Sequence, residues 1–263
     1  ILSTQADYVK KFTDNKRLEA GLKYSYVSTS SGTDFLIASA INEEFKPDES
    51  LSSKFNYVEK LAAAYLNYNG PLGKKFSFTL GVRAEYTNYD LNTTAGDNQA
   101  ISDSYLNLFP NLSLNMTVSD KLKLRASYVA RITRPRYQAL NPFVIYQDPF
   151  TSIEGNPDLI LEKVHAFELG AMYDRFDFRI GYTYKLDPLT AAALRGNGPN
   201  NYVLKGINLE KEHYWFTSLS RSFETKWWTS TNTINISYRK SIDNSYSFAV
   251  GKSSPQFYFY SSN

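Results

Sequence analysis

From Phe76 onward the side chains alternate without a break: Phe76, Phe78, Leu80, Val82, Ala84 and Tyr86 are separated by Ser77, Thr79, Gly81, Arg83 and Glu85. Successive side chains of a β-strand point to opposite faces, so a strict period of two writes one apolar face and one wet face, which a helical stripe does not. The segment from Phe176 repeats the pattern, with Phe176, Phe178, Ile180, Tyr182, Tyr184 and Leu186 against Asp177, Arg179, Gly181, Thr183 and Lys185. Leu18, Ala20, Leu22, Tyr24 and Tyr26 form a third such face, the even positions from Leu106 to Val118 a fourth, and Leu122, Leu124, Ala126, Tyr128, Ala130 and Ile132 a fifth. The alternation spans the chain, which is expected to be all-β from end to end.

Turn spacing orders these strands. Short polar or glycine-containing turns stand at Asp14-Asn15-Lys16, Gly70-Pro71-Leu72-Gly73, Ser119-Asp120, Asp174-Arg175 and Phe223-Glu224. Between them lie long stretches rich in Gly, Pro, Asn, Ser and Asp, at 28–56, 90–103, 134–160, 187–207 and 241–255, read as irregular loops. Pro47, Pro135, Pro142, Pro149, Pro157, Pro188, Pro199 and Pro255 fall in those stretches and Pro71 in a short turn, while Pro110 alone interrupts a strand and is expected at a bulge. One strand on each side of every turn gives ten, and the run Phe257-Tyr258-Phe259 begins an eleventh. Each is expected to pair with its sequence neighbour. Strands of about 10 to 16 residues exceed the five or six usual in soluble sheets and suffice for the 9 to 11 tilted residues that cross a bilayer.

Composition narrows the choice. The 263 residues include 21 Tyr, 17 Phe and 3 Trp, too aromatic for a disordered chain, and no apolar run approaches the roughly 18 residues of a membrane helix. A net charge of +3 spread along the chain offers no concentrated field for nucleic acid. Without cysteine there is no disulfide scaffold, thiol catalysis or thiolate-bound zinc. The chain opens with Ile1-Leu2-Ser3-Thr4, in which no signal peptide is read.

Strand length, strictly alternating short and long connections, and aromatics near strand ends favour an antiparallel up-and-down transmembrane β-barrel over a soluble two-layer β-sandwich, which would show the same alternation. Phe76, Phe78, Phe176 and Phe178 follow short turns, as Trp227-Trp228 do, and Tyr24, Tyr26, Tyr86, Tyr182 and Tyr184 lie toward the long loops, like two interfacial girdles. Short turns would then face the periplasm and long loops the exterior.

Particular runs add a family likeness. Leu108-Phe109-Pro110-Asn111-Leu112-Ser113-Leu114, Ser119-Asp120-Lys121-Leu122, Arg131-Ile132-Thr133-Arg134-Pro135, Leu140-Asn141-Pro142-Phe143 and Glu154-Gly155-Asn156-Pro157-Asp158-Leu159 resemble the barrel of TonB-dependent outer-membrane receptors, most closely the barrel family abundant in Bacteroidetes. One departure is Ile160-Leu161-Glu162, where the family often has Lys-Pro-Glu, which makes the start of that strand more apolar. The resemblance implies a barrel of 22 strands, filled by an N-terminal plug and energised through TonB. Residues 1–263 are read as a single barrel segment holding about half of those strands, with no plug domain, and as unable to close or transport alone. The implied function is import of a scarce nutrient, a metal chelate, oligopeptide or glycan, in the bacterial outer membrane. The expected partners are outer-membrane lipid, a plug and the TonB system through the rest of the protein, and a surface lipoprotein, with no nucleic acid. Two other readings stay open: a plugless barrel acting as adhesin or secretion-associated component, and a soluble secreted β-sandwich that binds glycans.

No enzymatic constellation emerges, and no cofactor or metal is expected. His165 and His213 are far apart in sequence and lack metal-ligand spacing, Glu43-Glu44 falls in a loop, and Gly196-Asn197-Gly198-Pro199 lacks the Lys and Ser or Thr of a phosphate loop. The candidate ligand-binding patch is Arg131, Arg134 and Arg136 with Tyr137, Phe143 and Tyr146, because arginines beside aromatics hold anionic ligands. The plainer reading, and the favoured one, is that these arginines snorkel or pair with Asp148, Glu154 and Asp158 of the same loop. Arg83, Glu85, Arg125, Glu168 and Arg179 are expected inside the barrel, facing a plug or paired with one another.

Overall fold

The structure, a computed structural model, describes residues 1–38, 44–94, 99–196, 198, 200–246, 250–251 and 253–262. Glu43, Asn197 and Pro199 lie outside the described residues. Six strands come first: β1 (Leu2–Lys11), β2 (Arg17–Ile37), β3 (Lys46–Leu72), β4 (Phe76–Thr93), β5 (Gln99–Thr117) and β6 (Leu122–Thr133). A one-turn helix α1 (Tyr137–Leu140) and two short strands, β7 (Val144–Tyr146) and β8 (Thr151–Glu154), follow. The remainder is β9 (Glu162–Tyr173), β10 (Phe176–Leu186), β11 (Leu189–Arg195), β12 (Tyr202–Asn208), β13 (Lys211–Glu224), β14 (Thr229–Ile242) and β15 (Gln256–Ser262).

Eleven of these form one antiparallel sheet in the order β1-β2-β3-β4-β5-β6-β9-β10-β13-β14-β15, the up-and-down meander that the turn spacing implies. Short turns close where left-handed backbone is tolerated: Asn15, Gly73 and Asp174 have φ of 56°, 71° and 53°. Two turns lie further on than expected: Gly70, Pro71 and Leu72 still pair within β3, so that the second turn is 73–75, and the last is displaced as well. Strand β13 continues through Glu224, and Thr225 closes the turn by donating its N–H to the Trp228 carbonyl at 2.8 Å, so Trp227 and Trp228 belong to the turn itself.

The long stretches are far from irregular. Strands β2 and β3 run 21 and 27 residues, pairing through Ser28-Thr29-Ser30-Ser31 with one register shift between Thr33 and Phe35. Serine and threonine here signal solvation, not loss of strand: beyond the hydrocarbon a hairpin can be wet on both faces, and Thr and Ser still pair across strands. Two other stretches build a second, four-stranded sheet, ordered β11-β12-β8-β7, in which β12 and β8 are parallel. Pro110 makes no bulge with β4, where it sits in register opposite Val82.

The cross-strand register lays out the outer face in rows. From the short-turn end, consecutive rows read Leu124, Ala171, Phe178, Leu219, Ile234; then Ala126, Leu169, Ile180, Thr217, Ile236; then Tyr128, Phe167, Tyr182, Trp215, Tyr238; then Ala130, His165, Tyr184, His213, Lys240. An apolar band gives way to an aromatic band and then to polar groups. The aromatic row is continuous, with ring centroids 4.7 Å apart for Tyr128 and Phe167 and 5.3 Å for Tyr182 and Trp215. Leu169 is 59% exposed and Leu106 65%, whereas Glu85, Thr87, Glu162, Glu212 and Ser218 of the other face are buried. This inside-out distribution suits a sheet facing hydrocarbon and contradicts the soluble sandwich.

Packing on the inner face requires a glycine where a ring of the next strand comes close. A Cβ on Gly181 would fall inside the Phe216 ring of the neighbouring strand. Gly181→Ala is therefore expected to displace Phe216 and lower stability by about 1 to 3 kcal/mol, read as a lower urea midpoint of the detergent-solubilised barrel.

Candidate functional site

The inner face carries its charges in networks that link strands. Glu85 on β4 accepts from Arg83 Nε at 2.6 Å and from Arg134 Nη2, just beyond β6, also at 2.6 Å. Arg134 also donates to Thr87 Oγ1 at 3.2 Å and to Tyr105 Oη at 3.4 Å. Arg125 lies 3.6 Å from Glu168 and 3.4 Å from Asp177, which also meets Arg179 at 3.3 Å. Lys185 bridges Glu162 and Glu212, each at 3.4 Å. The expected inward placement of Arg83, Glu85, Arg125, Glu168 and Arg179 is what the structure shows, with Arg83–Glu85 and Arg125–Glu168 paired as expected and Arg179 paired with Asp177 instead.

The connection from β6 to β9 folds back over this face. Leu140 of α1 and Leu159 pack with Phe55, Tyr57 and Leu91 in a buried cluster on the outer-loop ends of β3 and β4. The Gly-Asn-Pro-Asp motif fastens it. Gly155 lies against the Asn141 carbonyl with no room for a side chain, and Asn156 donates its N–H to the Ala139 carbonyl at 2.6 Å and its Nδ2 to the Gly206 carbonyl at 2.9 Å. Asn208 serves three backbone groups, donating to the Ile160 and Asp187 carbonyls and accepting from the Ile160 N–H. Glu162, after the family departure at Ile160-Leu161, is buried and accepts from Thr133 Oγ1 at 3.1 Å and from the Leu189 N–H at 3.1 Å. The start of β9 is thus a polar anchor more than an apolar one.

The six candidate residues do not converge on one point. Arg134 is committed to Glu85, Tyr137 stacks on Tyr57 with centroids 6.5 Å apart, and Phe143 meets Phe35 at 6.4 Å. Arg131, opposite Val164 in the β6–β9 ladder, and Arg136, preceding α1, are exposed and have no ion pair among the described residues. Tyr146 is exposed on β7. The expected pairing of the arginines within their own loop does not occur: Glu154 binds Lys205 at 3.2 Å, and Asp148 accepts the Phe150 N–H at 2.7 Å. That backbone N–H holds the Asp148 carboxyl below its ordinary range. Sequence proximity suggested those partners, but a strand-borne carboxylate already facing the lumen is a better-placed acceptor.

His165 and His213 sit on the outer face, both opposite Tyr184, and their Nδ1 atoms share hydrogen bonds with Tyr128 at 2.9 Å and Tyr182 at 2.8 Å. They are interfacial residues of the aromatic band.

A group absent from the sequence reading is the tyrosine cluster of Tyr57, Tyr89 and Tyr105, with centroids 6.1 Å and 6.4 Å apart along the series. It lines a cavity of about 300 Å³ beside Glu59, Asp103, Asn107 and Arg134. Odd numbering on β3, β4 and β5 puts all three on the inner face, so the parity that reveals the strands could have placed them.

The match of residues 1–263 to the model of the outer membrane protein beta-barrel family covers the whole chain. Among solved structures, the copper transporter OprC is similar with a TM-score of 0.64 and 12% identity, covering 90% of this chain and 37% of that one. The siderophore receptor PiuA from Acinetobacter baumannii is similar with a TM-score of 0.58 and 13% identity, covering 91% of this chain and 38% of that one. The chain thus spans little more than a third of their length, and at such identities the likeness is one of fold. A search of the curated proteins gives no match. The fold is the antiparallel up-and-down barrel sheet that the resemblance implied, and the family is not one of enzymes. By its inside-out sheet, its girdle and this full-length match, the chain belongs to the outer membrane protein beta-barrel family and resides in the bacterial outer membrane.

Proposed function

We propose that the chain is barrel wall of a TonB-dependent receptor that imports a scarce nutrient, a metal chelate, oligopeptide or glycan. The observation that carries this is the charged inner face. A lumen laced with Arg83–Glu85–Arg134, Arg125–Glu168 and Lys185–Glu212 pairs is a surface for a polar plug to pack against and slide past. The described sheet also leaves β1 and β15 as unpaired edges, so further strands are needed to close it. Outer loops would capture ligand, energy through TonB would move the plug, and this wall would supply the frame. Arg131, Arg136 and Tyr146, exposed at the loop end, are the members of the candidate patch free to meet a ligand; Arg134, Tyr137 and Phe143 would support the vestibule. A surface lipoprotein over the loops would complete the capture side.

The test is fractionation of source cells with antibody against this segment, followed by uptake assays in cells with and without TonB. A band well above 30.0 kDa in the outer membrane and TonB-dependent uptake are expected. Uptake unaffected by loss of the barrel, with retained surface binding, would favour an adhesin instead.

A further inference from the structure

The barrel wall has a notch. Strand β5 pairs with β4 along 18 positions, but with β6 only from Asn111 to Thr117, opposite Val129 to Lys123. Above Asn111 the side of β5 facing β6 has no strand partner among the described residues, and β6 continues from Ala130 to Thr133 paired with β9 alone. The ladder stops beside Pro110, the one residue of β5 that cannot donate a backbone hydrogen bond. The notch begins just beyond the aromatic row, where Leu112 still faces Tyr128, and lies on its long-loop side. Free backbone donors and acceptors there must meet water or another chain.

The cavity of about 300 Å³ occupies this notch and crosses the wall, since its lining takes Tyr105 and Asn107 from the inner face and Leu106 and Lys163 from the outer. Its volume is at the lower end of the roughly 300 to 1,000 Å³ of ligand pockets. Three tyrosines, Tyr57, Tyr89 and Tyr105, wall it, and Glu59 and Asp103 lie beside them without an ion pair among the described residues. The charge of Arg134 is spent on Glu85, and the other cation of the lining, Lys163 on the outer face, is outnumbered by Glu59, Asp103 and Asp187. Asn107 Nδ2 is shut off from solvent with no hydrogen-bond partner among the described residues. Tyrosine faces beside two carboxylates attract an organic cation, and a free strand edge recognises an extended backbone.

We propose that the notch binds an extended peptide, whose backbone pairs with the free edge of β5 between residues 99 and 110 and whose lysine or arginine side chain seats against Tyr57, Tyr89 and Tyr105, countered by Glu59 and Asp103. This rests on the receptor reading and narrows its substrate class to basic oligopeptides. An anionic metal chelate would be repelled by the two carboxylates, and a neutral glycan would use neither the charge nor the strand edge.

The test uses the full-length protein in detergent and a fluorescent hexapeptide of alternating valine and lysine, followed by anisotropy and by hydrogen exchange of residues 99–110. Saturable binding with slowed exchange in that segment is expected. A peptide N-methylated at alternate positions, one with glutamate for lysine, and the Glu59→Gln/Asp103→Asn variant should each weaken binding by about tenfold or more. Absent binding, equal binding of all three peptides, or unchanged exchange in β5 would overturn the site. Binding without uptake of the peptide by cells would sink the import reading and leave the site standing; uptake without binding at β5 would do the reverse.

Discussion

Glu85→Ala should be among the most destabilising single substitutions in this wall, by about 3 kcal/mol. Glu85 is 8% exposed and takes one guanidinium on each carboxylate oxygen at 2.6 Å. Removing it leaves Arg83 and Arg134 facing each other with no counter-charge, and the cost is that of two poorly solvated cations more than that of two lost hydrogen bonds. Arg134 also ties the β6–β9 connection to β4, so the loop cluster around Leu140 and Leu159 should loosen with it. The measurement is the urea midpoint of the intact receptor in detergent, with exchange at residues 134–161 as the local readout. Removing the charges together, as Glu85→Leu with Arg83→Met and Arg134→Met, should recover most of the loss, because a like-sized apolar set carries no desolvation cost. A Glu85→Ala protein as stable as the parent would show that the lumen solvates these arginines fully.

How far the sequence reveals this molecule follows from the range of each signal. Strand parity is local: Phe76 to Tyr86 and Phe176 to Leu186 announce their faces, and turns such as Asp174-Arg175 announce reversals, so eleven strands and their neighbour pairing were legible. Composition is a poorer guide outside the bilayer. Ser28-Thr29-Ser30-Ser31 reads as loop and is strand, and the stretch 187–207 reads as loop and holds β11 and β12, because polar residues on both faces erase the alternation without weakening the ladder. Long-range partners leave no local trace. Nothing within a few residues of Arg134 signals Glu85, 49 positions away, and only the β4–β5–β6 register brings them together. The notch was hidden for a related reason. Pro110 stood out in a strand, but that it ends pairing on one side and keeps it on the other depends on which neighbour each edge meets.

Leu169→Arg probes the other face. Leu169 lies in the row Ala126, Leu169, Ile180, Thr217, Ile236, one row on the short-turn side of the aromatic band and 59% exposed, so its side chain points into hydrocarbon. An arginine near the bilayer midplane of such a barrel costs about 2 to 4 kcal/mol, and near the interface about 0 to 1 kcal/mol. Two rows toward the loops stands His213, between Tyr184 and Lys240, where a second lysine adds charge at a level already polar. His213→Lys should therefore change stability little, although it gives up the Tyr182 hydrogen bond. The comparison is made by reversible urea unfolding of the full barrel in phospholipid vesicles, followed by tryptophan fluorescence, since Trp215 reports from the band between the two positions. A steep difference between Leu169→Arg and His213→Lys fixes the depth of the aromatic row at the outer interface. Equal costs would mean that the rows do not run across the membrane as the register places them, and in detergent micelles, which deform around a charge, the same pair should differ less.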